Sequence, residues 1–121
     1  MPSTIESDFA RVESIALSAA ESGHVSSEGA EALRTYFTRL EKEVLAAYQA
    51  DRNVASRIYD REEIAQFWYR EMNWFAAQFE IVERFDRHLR KIGIHDPDLE
   101  PIRQNVQDAY LAASNHYHMH A

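Results

Sequence analysis

Cysteine is absent from the 121 residues. That removes disulfides, thiolate zinc sites, cysteine-ligated iron–sulfur clusters and thiol catalysis together. Glycine and proline are scarce, at three each. Sheet proteins reverse direction often and lean on both residues for their turns, so the scarcity predicts a few long helices. No apolar run approaches the roughly 20 residues that a membrane-crossing helix requires, and no membrane association is expected. The first ten residues carry Glu6 and Asp8 in place of the basic start and apolar stretch of a secretory signal, so the expected location is cytoplasmic. Positive charge is also short: 13 Lys and Arg stand against 20 Asp and Glu, for a formal net charge of −7. The deficit lies in residues 1–30 and 96–121, whereas 31–95 balances at eleven of each sign. Duplex nucleic acid is held mainly by neutralising its phosphates, so DNA is not an expected partner. There is no Gly-x-Ser-x-Gly elbow, no phosphate-cradling glycine loop and no dinucleotide fingerprint.

What remains is strongly periodic. At 121 residues, 45% hydrophobic and 27% charged, the chain has the size and composition of a single domain, residues 1–121. The start and stop signals predict an all-α, four-helix bundle with a long central third helix. The first helix is expected over about 5–21, with Ser3 and Glu6 spaced as a capping box and Ser22–Gly23 ending it. Ile5, Phe9, Val12, Ala16 and Ala19 share one face of it. A second helix is expected from Ser26 or Ser27 to about Asp51, with Leu33, Phe37, Leu40, Val44 and Ala47 as its stripe. The segment 52–59 either extends it or forms a separate turn.

The third helix is expected over 61–92. Asp60 and Glu63 are spaced for a cap, Tyr59 and Ile64 for a hydrophobic staple across it. Gly93 is placed to take the left-handed conformation that closes a helix, with Ile94 folding back onto Leu89. Arg87, Arg90 and Lys91 in the last turn oppose the helix dipole. The fourth helix is expected to start at an Asp98 cap with Pro101 in its first turn, and Leu99, Ile102, Val106, Ala109, Ala113 and Tyr117 form its inner stripe.

The third helix carries two apolar stripes. One is Ile64, Trp68, Met72, Phe75, Phe79 and Val82; the other is Phe67, Trp74, Ile81 and Phe85. A bundle helix ordinarily needs one such face. A long central helix with neighbours on both sides explains the surplus, and so does an interface for a protein partner or a homodimer built on Phe67, Trp74, Ile81 and Phe85.

Candidate chemistry is sparse. His116 and His120 stand four apart, a helical spacing that can hold a transition metal, although Tyr117 occupies the place where a zinc peptidase has its glutamate. A carboxylate-bridged dimetal centre needs Glu-x-x-His pairs on two helices, which the chain does not supply. Glu71 falls between the two stripes of the third helix, where a buried acid is expected to pair with an arginine. The stretch Arg90–Lys91–Ile92–Gly93–Ile94–His95 resembles, over six residues, the Arg-x4-His signature of HEPN-type ribonucleases, small helical bundles that often act as dimers. The resemblance implies that Arg90 would hold the scissile phosphate and His95 would move a proton. Lys91 departs from the Asn, Asp or His usual there, and Gly93 interrupts the helix within the motif. The residues as a whole favour an acidic protein-interaction module with no cofactor. A metal- or ligand-binding bundle using His116 and His120, and a ribonuclease using Arg90 and His95, are the alternatives.

Overall fold

Local capping decides where the helices begin. The computed structural model describes residues 4–93 and 96–121, with side-chain surroundings from Ala10 onward, Ala20 apart. Four helices occupy the described residues: α1 (Thr4–Ser22), α2 (Ser27–Ala55), α3 (Arg61–Lys91) and α4 (Leu99–His120). The Ser26 hydroxyl accepts from the Gly29 amide at 3.0 Å, and an Asp60 carboxylate oxygen accepts from the Glu63 amide at 2.9 Å. Each satisfies an amide that the first helical turn leaves without a backbone partner. Gly23 and Gly93 lie just past the ends of α1 and α3 with φ of 80° and 79°, the left-handed region that suits glycine.

The segment left open, 52–59, divides. Its first part continues α2 to Ala55, after which Ser56, Arg57 and Ile58 turn the chain, each amide donating back to a carbonyl between Arg52 and Ala55. Two expectations fail. Asp98 precedes α4 but makes no side-chain cap bond, because its backbone is already helical and its carboxylate lies 3.9 Å from Arg34. Its own amide instead donates to Asp96. Tyr59 is 93% exposed, so no staple forms with Ile64, which packs against the core alone. The expected capping box at Ser3 and the expected contact of Ile94 with Leu89 lie outside the described residues.

The helices sit at four corners. α3 and α4 pack along most of their length; α2 touches both, and α1 touches α2 and α3. Among the described residues α1 and α4 make no contact, so they occupy opposite corners and α2 meets α3 across the middle. The buried side chains form one continuous cluster contributed by all four helices. Trp68, Phe75 and Phe85 are its largest fully enclosed members, and each such side chain contributes on the order of 1.5–3 kcal/mol when removed from water. Phe37 meets Phe85 edge-on with ring centroids 5.4 Å apart, and Tyr48 meets Phe75 at 6.2 Å.

Length makes the two ends of the bundle unequal. α3 has 31 residues, about 46 Å at 1.5 Å per residue, and α1 has 19, about 28 Å. Ile15 Cγ2 lies 3.2 Å from where a side chain on Gly29 would begin, which sets these residues side by side. Equal steps back to Thr4 and forward along the antiparallel α2 arrive near Leu40. The Phe37–Phe85 contact places that level near Val82 on α3. The described part of α1 therefore flanks the first half of α2 and the last turns of α3. Among the described residues, the remainder, from about Leu40 to the α2–α3 turn, has three helices around its core.

Candidate functional site

The two stripes of α3 meet different neighbours. Phe79 stacks on Tyr110 at 6.3 Å, Tyr69 meets Tyr117 at 5.3 Å, and Glu83 pairs with Arg103 at 2.8 Å, which marks the flank facing α4. Trp74 and Ile81 lie on the other flank, the side where α1 packs lower down. Of the four residues expected at an interface, Phe67 is 9% and Phe85 1% exposed, both within the core of one copy. Both are therefore set aside from the candidate surface, which keeps Trp74 and Ile81. Trp74 and Ile81 are only partly buried against that core. Trp74 projects from the level that the described part of α1 does not reach.

A polar and aromatic cluster lies near the α2–α3 turn. The α2 stripe, continued four residues past Ala47, arrives at Asp51; the α3 stripe carries Glu71 between Trp68 and Phe75; the α4 stripe, continued three past Ala113, arrives at His116. All three are partly buried. His116 stacks flat on Trp68 at 4.4 Å, and its Nε2 shares a 3.1 Å hydrogen bond with the Tyr48 hydroxyl. Burial lowers the imidazole below its usual range, with the charges of Arg52 and His120 acting in the same direction. Asp51 shifts the other way. Burial, then a hydrogen bond with Glu71 and the charge of Glu71, push its carboxyl up to about 7. The expected arginine partner of Glu71 is thus replaced by a second acid.

The inner nitrogen of His116 is engaged by Tyr48, and no group of three or more metal-binding side chains gathers among the described residues. The one Glu-x-x-His of the chain, Glu21 to His24, straddles the end of α1 with both residues exposed. Arg90 lies 2.8 Å from Asp86 and 3.8 Å from Glu100, while Arg87 pairs with Glu80 at 3.0 Å. The basic end of α3 is therefore largely balanced, by Glu80 and Asp86 as well as by the downstream acids. His95, the other half of the ribonuclease-like motif, lies outside the described residues. A cleft of 230 Å³ between α2, α3 and α4 is lined by Leu33, Phe37, Leu89, Leu99, Asp96 and Asp98 among others. It is smaller than the several hundred Å³ usual for small-molecule sites.

The sequence reading did not single out Asp51 or Tyr48 as members of this cluster, and it considered His116 only as a metal ligand. The signal was present: each of Asp51, Glu71 and His116 sits where its helix's apolar repeat demands an inward-facing side chain. Compared with known proteins, the chain matches no protein family, no curated protein and no solved structure.

Proposed function

We propose that this chain is a protein-interaction module that associates through the flank of α3 carrying Trp74 and Ile81, most simply with a second copy of itself. The observation that carries the reading is Trp74, a large aromatic side chain left partly open where the described part of α1 no longer flanks α3. Aromatic side chains dominate interface energetics, and tryptophan above all supplies contact area at low entropic cost. Closed two-fold pairs are the commonest assemblies of soluble chains, and such a pair would set Trp74 of one copy beside the same flank of the other. The net charge of −7 also suits a basic partner, and it disfavours close approach except where apolar surface compensates.

The test is native mass by sedimentation at micromolar concentration, run on the wild type, Trp74→Ala and Ile81→Ala. A wild-type dimer that becomes monomeric in Trp74→Ala, with helicity unchanged, is the expected result. A monomeric wild type would rule out self-association. Identical capture of a defined basic partner by wild type and Trp74→Ala would rule out this flank as the docking surface.

A further inference from the structure

We infer that Tyr48 is a one-electron oxidation site, with His116 as its proton acceptor and Trp68 as the neighbour that passes it the electron hole. The inference concerns one copy of the chain and does not depend on the interaction reading.

Three contacts carry it. The Tyr48 hydroxyl and His116 Nε2 lie 3.1 Å apart, within the reach across which a side-chain base takes a proton. His116 stacks on Trp68 with ring centroids 4.4 Å apart, and the Tyr48 ring lies 6.2 Å from the same indole. α2 supplies the phenol, α3 the indole and α4 the imidazole, so folding assembles the set. Trp68 is 1% exposed, and its third ring contact is Phe67, which resists oxidation. A hole on the indole therefore has one oxidisable ring beside it, and that ring is Tyr48.

Oxidation makes a tyrosine hydroxyl strongly acidic, so losing the electron is tied to losing the proton. At exposed Tyr59 that proton goes to water, a weak base. At Tyr48 it has an imidazole in hydrogen-bond contact. A phenol gives up its hydrogen more readily than a neutral imidazole does, so the Tyr48 O–H donates to Nε2 and the ring hydrogen sits on Nδ1. Burial, with the charges of Arg52 and His120, favours the neutral imidazole that can accept. Even so weakened, an imidazole is a far stronger base than water.

Every electron and proton has a place. A one-electron oxidant takes an electron from Trp68 and is itself reduced, leaving an indole radical cation. That radical takes an electron from Tyr48, whose hydroxyl proton moves to His116 Nε2. The products are a restored indole, a neutral phenoxyl radical and an imidazolium. Tyr48 is only partly buried, so a small one-electron reductant can return the electron while His116 returns the proton.

The experiment uses the full chain as Trp74→Phe, which leaves Trp68 as the single indole of the two. Flash photoionisation at the red edge of indole absorption, with a scavenger for the ejected electron, should show the indole radical decaying as a phenoxyl radical rises. The rate should not depend on protein concentration, and it should fall in heavy water. Adding Tyr48→Phe should abolish this step and prolong the indole radical. Adding His116→Phe, which keeps the ring stack, should slow it by at least about tenfold, since a positioned base ordinarily contributes more than that. An unchanged rate in either variant, or equal rates in light and heavy water, would overturn the inference. Should His116→Phe fail to fold, the isotope effect still decides, together with nitrogen NMR of His116, where a hydrogen found on Nε2 contradicts the proposed acceptor.

Discussion

His116 is held on two sides by different physics. Its ring lies parallel to Trp68 at a tilt of 13°, so stacking fixes its plane, and the Tyr48 hydroxyl fixes its rotation about that plane. Replacing it with alanine removes the stack and strands the hydroxyl, at a cost of about 1–3 kcal/mol in unfolding free energy. His116→Phe keeps the stack and should lose the smaller part of that sum; chemical denaturation of both variants checks it. The pH dependence follows from sign. Because the folded imidazole sits below its unfolded value of 6.5, its stabilisation is present above 6.5 and disappears as pH falls through the folded value. Asp51 acts oppositely: its folded carboxyl sits above the unfolded value of 3.8, so stability is greatest at low pH and is lost as pH rises toward about 7. Denaturation curves on His116→Phe should therefore lose the acid-side decline, while Asp51→Asn loses the neutral-side decline. The sequence did show that these positions face inward. It did not show which inward positions of different helices meet, because periodicity fixes a residue's angle on its own helix and nothing about its level against a neighbour.

Boundaries of individual helices were the most legible feature. Asp60, Ser26, Gly23 and Gly93 each act through atoms within a few residues, so their roles follow from local chemistry and the structure agrees. Asp98 and Tyr59 failed because their alternatives are tertiary or solvent-exposed: an arginine on α2 for one, open water for the other. Gly29 shows what local reading cannot find. It lies in the first turn of α2 with no unusual backbone angle, yet a side chain there would begin 3.0 Å from Ser26 Oγ and 3.2 Å from Ile15 Cγ2. Glycine is what lets α1 approach α2. Gly29→Val should push the helices apart and cost about 1–3 kcal/mol, as overpacking of a close crossing generally does. In Gly29→Ala the gain in helix propensity, about 1 kcal/mol, should offset much of the crowding. Thermal denaturation of the two variants distinguishes a steric effect, which grows with side-chain size, from a mere loss of glycine.

At the scale of the whole molecule, α3 is the helix with most of its apolar surface inside one copy, Phe67 and Phe85 included, with Trp74 and Ile81 left partly open. Sequence alone offered both explanations and had no means to choose, since the width of an apolar face does not say whether its cover is intramolecular. The choice was made by the corner arrangement, in which α4 takes one flank of α3 and the described part of α1 takes the lower part of the other. Such an arrangement also grades the strength of the helices. α3 and α4 are tied by aromatic pairs and by Arg103, which reaches Glu83 at 2.8 Å and Glu100 at 3.3 Å. α1 has two neighbours, and among its described side chains the buried ones are Val12, Ala16 and Ala19, with Ile15 packed against the core. Small side chains return little free energy per residue ordered. Native-state exchange should therefore rank α1 amides as the first to open, well below the global unfolding free energy, with those of α3 the last. Warming would then undo the molecule from one corner inward, and a protease cutting between Gly23 and Ser26 should release α1 and leave 27–121 folded as a lasting, resistant fragment.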